Sequence, residues 1–217
     1  MMRLALTALV LGFAVANPAH AEFELSFYTG FQTAPHSDVE GNDPNGIGKF
    51  DFTTAWEGRS NEMPPYWGIR GTWWQPNNIG YALEMNHAKV YADENDKEKN
   101  GFDILEFSDG INLVTVNVLK RWPSVERPWI PYVGAGVGVS VPHVEVETSS
   151  GKTFEYQLTG PAVQWLAGVS YPVSENWSVF GEYKGTYSQN EADLHDGGDL
   201  KTNIVTNALN VGVSFNF

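Results

Sequence analysis

The chain has 217 residues, with 26 acidic against 13 basic side chains, a formal net charge of −13, and no cysteine. The lack of cysteine excludes disulfides, thiolate metal ligands and thiol nucleophiles. The acidic balance argues against nucleic acid as a partner, because few basic groups are present to neutralise phosphates.

The first residues have the pattern of a secretory signal peptide. Arg3 supplies positive charge, an apolar run covers residues 4–15, and Ala19-His20-Ala21 forms a small-residue cleavage site. We therefore predict a cleaved signal peptide over residues 1–21 and a single domain over residues 22–217. The alternative is a retained anchor helix, for which the apolar run is too short.

Eight segments of the mature chain alternate between apolar and polar residues, the pattern of a strand with one apolar face and one polar face. The predicted strands cover residues 23–31, 66–74, 79–91, 111–121, 133–140, 163–171, 177–187 and 203–217. In the last of them, Leu209, Val211 and Val213 alternate with Asn210 and Gly212. The sequence thus predicts an all-β fold.

The predicted connections alternate between short and long. Short turns rich in Pro and Asn cover residues 75–78, 122–128 and 172–176. Long acidic loops cover residues 32–63, 92–109, 145–156 and 188–202, the first with room for a hairpin around residues 50–56. This asymmetry is typical of outer-membrane barrels. We therefore predict an eight-stranded antiparallel up-and-down transmembrane β-barrel in the bacterial outer membrane, with the long loops outside.

Aromatic residues fall at the ends of the predicted strands. Trp73, Trp122, Trp129 and Trp177 map to the end with the short turns, and Trp67 maps toward the other rim. Aromatic rings prefer the two lipid–water interfaces, so this sorting indicates that the apolar faces contact lipid. The alternative, a soluble lipocalin-like barrel, would place its apolar residues inside and gives no reason for the sorting.

The polar faces carry charged residues that are predicted to point into the barrel. They include Arg70, Glu84, Glu182 and Lys184, and the register across the turn at 75–78 pairs Arg70 with Glu84. Eight strands leave an interior just wide enough for side chains, where a lone charge is costly. These residues form either a structural ion-pair network that plugs the barrel or a gate or proton relay. The sequence does not favour a diffusion pore.

The four histidines of the mature chain, His36, His87, His143 and His195, all map to the loop end of the barrel. Strand alternation predicts that His87 and Lys89 face lipid at the depth of the outer-leaflet headgroups. One interpretation is a metal or acid–base site that reaches the sugar headgroup of lipopolysaccharide. The other interpretation is that they are ordinary polar residues of loops.

Two acidic runs are further candidates for cation ligands. Asp38, Glu40 and Asp43 resemble a loose set of oxygen ligands for a hard divalent cation, and a second run covers residues 93–98. Neither run has the spacing of an established calcium loop, so a solvated acidic surface is the alternative. The sequence contains no Gly-x-Ser-x-Gly elbow and no His-Glu-x-x-His motif.

Two segments, residues 131–138 (PYVGAGVG) and 177–184 (WSVFGEYK), resemble the OmpA-like eight-stranded outer-membrane barrels. The terminal Phe217 is similar to the aromatic residue by which such barrels engage the barrel assembly machinery. More narrowly, residues 27–37 (FYTGFQTAPHS) and 67–71 (WGIRG) resemble alphaproteobacterial barrels of the lipid A oxidase group. This narrower resemblance implies oxygen-dependent oxidation of the proximal glucosamine of lipid A to 2-aminogluconate.

Such an oxidation needs an electron acceptor, which side chains do not provide unaided. A divalent or redox metal ion is the expected cofactor, with His36 and His87 as ligands and with Asp38 beside them as a third catalytic residue. Lys89 and Ser37 are the candidates for binding the lipid, and outer-membrane lipid and lipopolysaccharide are the expected partners. The competing hypothesis is a non-enzymatic surface barrel for membrane integrity or partner recognition. A lipid A deacylase is a third hypothesis, without a clear Ser–His arrangement.

Overall fold

Strands make up most of the chain in the computed structural model, which describes residues 22–217; the predicted signal peptide lies outside the described residues. Between residues 22 and 217 there are twelve strands, one α-helix (α1, Glu94–Lys99) and one 3-10 turn (His195–Gly197). The strands are β1 (Glu22–Asp43), β2 (Gly48–Glu57), β3 (Trp67–Trp74), β4 (Ile79–His87), β5 (Val90–Ala92), β6 (Phe102–Phe107), β7 (Ile111–Arg121), β8 (Ile130–Thr148), β9 (Gly151–Tyr156), β10 (Gly160–Pro172), β11 (Trp177–Leu194) and β12 (Gly198–Asn216). The predicted all-β class is confirmed.

Eight of these strands close a ring in which each strand pairs antiparallel with both neighbours. The order is β1, β3, β4, β7, β8, β10, β11, β12 and back to β1. Arg70 on β3 pairs in register with Glu84 on β4, as predicted. Apolar side chains such as Leu83, Val116 and Leu209 are exposed on the outside of the ring. Because these strands are polar inside and apolar outside, the ring suits a lipid environment rather than water.

The end of the ring with the short connections, here called the turn end, is closed by tight turns. In the turn between β3 and β4, the Gln75 backbone N–H donates to Ile79 over 2.7 Å. Asn78 in that turn has a φ of 61°, which Asn tolerates better than most residues. Trp122 and Trp177 are exposed at this end, where amphipathic rings prefer to lie.

At the opposite end the long strands β1, β8, β11 and β12 continue past the ring. There β1 pairs with β2, β2 with β5, β5 with β6, β6 with β8, and β8 with β9. We call this part the extension; it comprises residues 34–57, 90–113, 141–159 and 189–205. The prediction of a hairpin around residues 50–56 anticipated β2, but most of the predicted long loops are strands and the prediction of loops there was wrong.

The extension has its apolar side chains inside, the reverse of the ring. Val39, Phe107, Val144, Leu200 and Ile204 are fully buried in one cluster. The same strands therefore change their apolar face from outside to inside as they leave the ring. Acidic residues outside and apolar residues inside are the pattern of a structure in water. Because lipid-facing strands have the opposite pattern, the strands of the extension were not predicted.

A side-chain clasp joins β9 to β11, which do not pair as strands. The Gln157 amide donates to the Asp193 carbonyl over 2.9 Å and accepts from the Asp193 N–H over 2.8 Å. Beside it, the Glu191 N–H donates to the Thr159 carbonyl over 3.0 Å. The Gln157 side chain thus imitates a strand pair and closes the wall of the extension.

The acidic run at 93–98 forms a short capped helix instead of a cation site. The Asp93 side chain accepts hydrogen bonds from the N–H groups of Asn95 and Asp96, which caps α1. The Asp96 carboxylate in turn accepts from the Thr54 hydroxyl over 3.1 Å. No helix among residues 22–217 is long and apolar enough to span a membrane.

Candidate functional site

The lumen of the ring contains a charged layer made by β3, β4 and β11. Arg70 Nη1 lies 2.8 Å from Glu182 Oε2 and 3.7 Å from Glu84 Oε2, and Lys184 contacts Glu84 directly. All four side chains are buried. Two cations and two anions therefore balance, which offsets the cost of removing them from water. Their lumenal position agrees with the sequence prediction.

Neutral groups fill the remaining hydrogen-bonding positions of Glu84. The Tyr28 hydroxyl donates to it over 2.6 Å and the Gln164 amide over 2.8 Å. Asn117 contributes a further amide and fits because Gly136 faces it; a Cβ at Gly136 would overlap the Asn117 oxygen. Arg70 Nε and the Gln164 oxygen have no hydrogen-bond partner among the described residues, but the Glu84 carboxylate is held by partners on several strands, which indicates a fixed plug more than a mobile gate.

Above the charged layer the interior becomes hydroxyl-rich and then apolar. Thr186 and Thr206 share a hydrogen bond of 2.5 Å, and the Ser140 hydroxyl donates to Asn190 over 2.7 Å. The buried core of the extension begins at Ile204. Below the charged layer, a cavity of 240 Å³ lined by Glu24, Arg70 and Trp74 lies at the turn end. The extension end is therefore filled by apolar side chains, and the turn end is hollow.

The structure separates the predicted site residues on β1 from those on β4. His36 is exposed in an irregular stretch of β1 between Ala34 and Ser37. The Ser37 hydroxyl accepts from the Trp56 indole over 2.7 Å. Asp38 is exposed and accepts from the Thr53 hydroxyl over 2.6 Å. Ser37 and Asp38 thus contact residues of β2.

His87 and Lys89 are both buried, so the prediction that they face lipid was wrong. The Lys89 ammonium donates to the carbonyls of Glu62 over 3.0 Å and Met63 over 3.4 Å. Glu62 and Met63 lie in the segment of residues 58–66 that follows β2, so this segment contacts the Lys89 side chain. In addition, β4 ends at His87 and the chain re-forms a strand only at Val90, so one strand over 79–91 does not exist.

Among residues 22–217, no three His, Asp or Glu side chains gather in a metal-binding cluster. No such cluster contains His36, His87 or Asp38, and no chemical step through a metal is derived from them. His195 is exposed beside Asp196, at 3.3 Å. His143 is buried against the rings of Phe154 and Tyr156, with ring centroids 4.4 and 4.8 Å away.

An open groove lies beside His87 on the outer wall, at the boundary between ring and extension. We call it the His87 groove; its principal lining residues are Trp67, Met85, His87, Asp109, Asn112 and Val114. The His87 ring stacks on Trp67 at 5.9 Å, and its Nδ1 lies 2.9 Å from the Asn112 side-chain oxygen. Asp109 Oδ2 is 4.0 Å from His143 Nδ1.

Sequence reasoning missed Trp67, Asp109 and Asn112 as groove residues. One signal was present: Asn112 has the same strand parity as the lipid-facing Val114 and Val116, where an apolar residue is expected. Asp109 carries no such signal, because it precedes β7 and reaches the groove through the turn that connects β6 to β7.

The outer face of the extension carries a row of acidic residues just above the groove. Glu106 on β6 pairs in register with Glu145 on β8. Burial raises the pKa of Glu106, and the neighbouring Glu145 raises it further. Burial also opposes ionisation of Glu145, but hydrogen bonds from Lys152 over 2.7 Å and Ser108 over 2.6 Å outweigh it and hold the pKa of Glu145 below its ordinary value.

Comparison with known proteins agrees with this architecture. Residues 5–217 match the model of the outer membrane protein beta-barrel domain, and the chain belongs to that family. Neisserial surface protein A is 15% identical over 90% of this chain and 97% of its own, with a TM-score of 0.51. The N-terminal β-barrel domain of OprF from Pseudomonas aeruginosa is 15% identical over 91% and 98%, with a TM-score of 0.47. The outer membrane protease OmpT from Escherichia coli is 10% identical over 90% and 97%, also at 0.47.

No curated protein matches the chain. The likeness to the Neisserial protein supports the fold alone, and the other two structures are too distant to bear on function. The protein is an outer-membrane β-barrel of the bacterial cell. In such barrels the short turns are periplasmic and the longer connections extracellular, which assigns the turn end to the periplasm and the extension to the cell surface.

Proposed function

We propose that the protein is a non-conducting surface barrel whose extension acts in partner recognition or membrane integrity. The observation that carries this proposal is the filled interior: a buried layer of two cations and two anions, followed by an apolar core. Packed apolar interiors hold no continuous water, and ions need a wet path to cross. An eight-stranded ring is also too narrow for an aqueous channel.

The extension offers a rigid acidic surface for recognition. Its core is built on strands that continue from the ring, so its outer face has little freedom to rearrange. Acidic residues are exposed on several of its strands: Asp38, Glu40, Asp51, Glu57, Asp103, Glu155, Glu191, Asp193 and Asp199. A partner that complements this surface is basic, or binds through divalent cations.

Liposome swelling tests the absence of conduction. Vesicles that contain the purified barrel are expected to swell in a small sugar no faster than empty vesicles. A porin in the same lipid is the positive control. Swelling at a rate near that of the porin would disprove the proposal.

The surface role is tested in cells that lack the gene and have increased sensitivity to detergent. We expect the wild-type chain to restore resistance, and a variant with Glu40→Gln, Asp51→Asn and Glu191→Gln to restore it incompletely. A matched variant with Glu22→Gln, at the periplasmic end, is expected to restore it fully. Equal rescue by both variants would contradict a role for the acidic surface.

Oxidation of lipid A is a second candidate function, supported by one observation. The His87 groove opens on the outer wall at the boundary between ring and extension, and its lining includes the His87 imidazole and the Asp109 carboxylate. Here His87 and Asp109 would move protons at a bound sugar, and lipopolysaccharide would be the substrate. Oxidation of the hemiacetal carbon to the acid removes two electrons, which dioxygen would accept and leave as hydrogen peroxide, while water supplies the added oxygen; no metal site is assigned to the groove.

Mass spectrometry of lipid A from cells with and without the gene tests this candidate. Oxidation adds about 16 Da to the molecule. We expect the gain to be lost with His87→Ala and to persist with His36→Ala, because His36 lies outside the groove. Identical lipid A from all these strains would remove the candidate and leave the surface role unaffected.

A further inference from the structure

The lumen of the ring is hollow at the turn end, where a cavity of 240 Å³ lies below the charged layer. We call it the turn-end cavity. Pro123 and Glu175, in the turns at this end, are exposed and belong to its lining, so the cavity opens toward the periplasm. One water molecule needs only about 10–15 Å³, so there is room for a small ligand. The charged layer and the apolar core close the lumen above it, which makes the cavity a dead end.

The arginines near the cavity are already bound to other carboxylates. Nη1 and Nη2 of Arg121 donate to the two carboxylate oxygens of Glu22 over 3.2 and 2.5 Å. The same guanidinium lies over the Trp74 ring, 4.4 Å from its centroid. Two-point binding and the stacked ring hold Arg121 in one orientation. Arg70 belongs to the charged layer, in which two cations already balance two anions.

Glu24 is left without a cation. It lies in the wall of the cavity, and its only side-chain hydrogen bond within residues 22–217 comes from the Ser26 hydroxyl, over a long 3.3 Å. No Lys or Arg among these residues forms an ion pair with it. Because the neighbouring pairs are neutral, the cavity carries the negative charges of Glu24 and of Glu175 at its mouth. A carboxylate in a confined lumen is stabilised by a cation that can reach it.

A second acceptor lies directly beside Glu24. Asn216 on β12 is paired in register with Glu24 on β1, and both residues line the cavity. The Asn216 side-chain oxygen is buried and has no hydrogen-bond partner among the described residues. An ammonium group carries three donors, a positive charge and no acceptor. It can therefore satisfy the carboxylate and the amide oxygen at once, with a charge-assisted hydrogen bond to the carboxylate.

From these contacts we infer that the turn-end cavity binds a small aliphatic amine that enters from the periplasm. Its ammonium donates to Glu24 and Asn216, and its carbon chain lies against the apolar Leu119 and the Trp74 ring. A free diamine and a basic amino acid share this chemistry, but the amino acid adds a carboxylate. Trp74 Nε1, a buried donor without a partner among the described residues, can donate to that carboxylate. The site lies at the opposite end of the ring from the extension, and the inference goes beyond the proposed surface role.

Calorimetric titration of the purified barrel in an uncharged detergent tests the inference with probes of the same chain length. Cadaverine has an ammonium at each end of five carbons, pentane-1,5-diol has hydroxyls there, and glutarate has carboxylates. We expect one cadaverine per barrel, at least tenfold weaker binding of the diol, which corresponds to about 1.4 kcal/mol, and no binding of glutarate. Lysine is cadaverine with one added carboxylate. Tighter binding of lysine than of cadaverine identifies an amino acid as the ligand, and the reverse order identifies a diamine.

Substitutions in the cavity have matched controls at the same end of the barrel. Glu24→Gln removes the charge and is expected to weaken cadaverine binding about tenfold or more. Glu126→Gln, in the exposed turn between β7 and β8, is expected to leave binding unchanged. Ser170→Phe fills the cavity and is expected to abolish binding, whereas Ser124→Phe, outside the lining, is expected to preserve it. Heat modifiability on gels verifies folding, and Ser174→Phe replaces Ser170→Phe if the latter does not fold.

Three results would overturn the inference. Binding of the diol as tight as that of cadaverine would remove the ammonium contact. Equal binding by the Glu24→Gln and Glu126→Gln variants would place the amine elsewhere on the barrel. No heat from any probe, with the NMR signal of the Trp74 indole N–H unmoved, would show that the cavity holds water only. Conduction, the surface role and lipid A oxidation can each be disproved without affecting these results.

Discussion

Arg70 and Glu182 meet across the lumen at 2.8 Å, although 112 residues separate them in the chain. Their contact joins β3 to β11, which are not neighbours in the ring. Because both side chains are buried, removal of one partner alone leaves an uncompensated charge and costs more than it would in a surface ion pair.

Removal of Arg70 should destabilise the barrel strongly. Arg70→Met leaves Glu84 and Glu182 with only Lys184 as a cation, and an unpaired buried charge costs about 3–5 kcal/mol. The free energy of unfolding is measured in urea with the barrel in lipid vesicles. The double variant Arg70→Met, Glu182→Gln restores neutrality and should recover most of the loss. A single variant as stable as wild type would refute the prediction.

An exposed ion pair supplies the matched control for that experiment. Lys201 and Glu191 are 3.4 Å apart on the extension and both are exposed. Lys201→Met should cost at most about 1 kcal/mol, because solvent screens surface pairs. A loss as large as that of Arg70→Met would show that burial is not the deciding factor.

The buried core of the extension should be necessary for the stability of the extension but not for the stability of the ring. Phe107 is fully buried beside Trp56, with ring centroids 6.2 Å apart. Phe107→Ala should cost about 3–5 kcal/mol locally, and amide exchange should accelerate in β2, β5 and β6 while β10 stays protected. The exposed Phe154→Ala should change exchange little. Uniform acceleration throughout the ring would contradict two separate cores.

The Gln157 clasp should hold the wall between β9 and β11. Gln157→Ala removes both hydrogen bonds to Asp193, each worth about 0.5–1.5 kcal/mol net and less where water competes. The Asp193 N–H should therefore exchange faster. Gln189→Ala, an exposed glutamine on β11, is the control and should leave that exchange unchanged. Equal exchange in both variants would mean that the clasp contributes nothing.

The Glu106–Glu145 pair should make the stability of the extension depend on pH. The pKa of Glu106 is raised in the folded state, so the folded state holds this proton more tightly and loses stability as pH rises from the ordinary pKa through the raised one. Glu106→Gln should therefore stabilise the extension at pH 7, by about 0.2–1 kcal/mol as expected for a like-charged cross-strand pair. At about pH 3 and below, where Glu106 is protonated in both states, the two chains should agree. Amide exchange at both pH values measures this, and an equal gain at both would be inconsistent with titration of Glu106.

The carboxy-terminal Phe217 should matter for assembly more than for stability. It is exposed, and its backbone N–H donates to Phe23 over 3.0 Å, a bond that any residue at this position can make. Phe217→Ala should reduce the amount of barrel in the outer membrane, since the aromatic ring is expected to engage the barrel assembly machinery. Refolding of the purified chain into vesicles should proceed as in wild type. Normal levels in cells would argue against that partner.

The ring could be predicted from the sequence because, within the ring, the apolar residues of each strand stay on its outward face. Val114, Val116 and Val118 face outward with polar residues between them, and lipid imposes this pattern on every strand. The lumenal position of Arg70 and Glu182 followed from the same parity. Their pairing across the lumen did not, because it depends on how the ring closes.

The extension and the groove could not be predicted by the same rule. On β12, Leu209 is apolar and faces outward, whereas Leu200 is apolar and faces inward, so no single parity describes the strand. His87 has the parity of a lipid-facing residue and is nevertheless buried, against the Trp67 ring and beside Gly110 and Asn112. Gly110 and Asn112 belong to β7 and the turn before it, so the residues next to His87 in the sequence do not predict its burial.

The hairpin of β11 and β12 is paired without a break from Trp177 to Leu194, a strand of 18 residues. At about 3.3 Å per residue and a tilt of about 40°, it rises roughly 45 Å, against an apolar band of about 25 Å. The backbone pairing of the hairpin therefore continues from the apolar band to its tip without an interruption at which the hairpin could bend. We expect a force at the cell surface to tilt the whole barrel in the bilayer rather than to bend this hairpin.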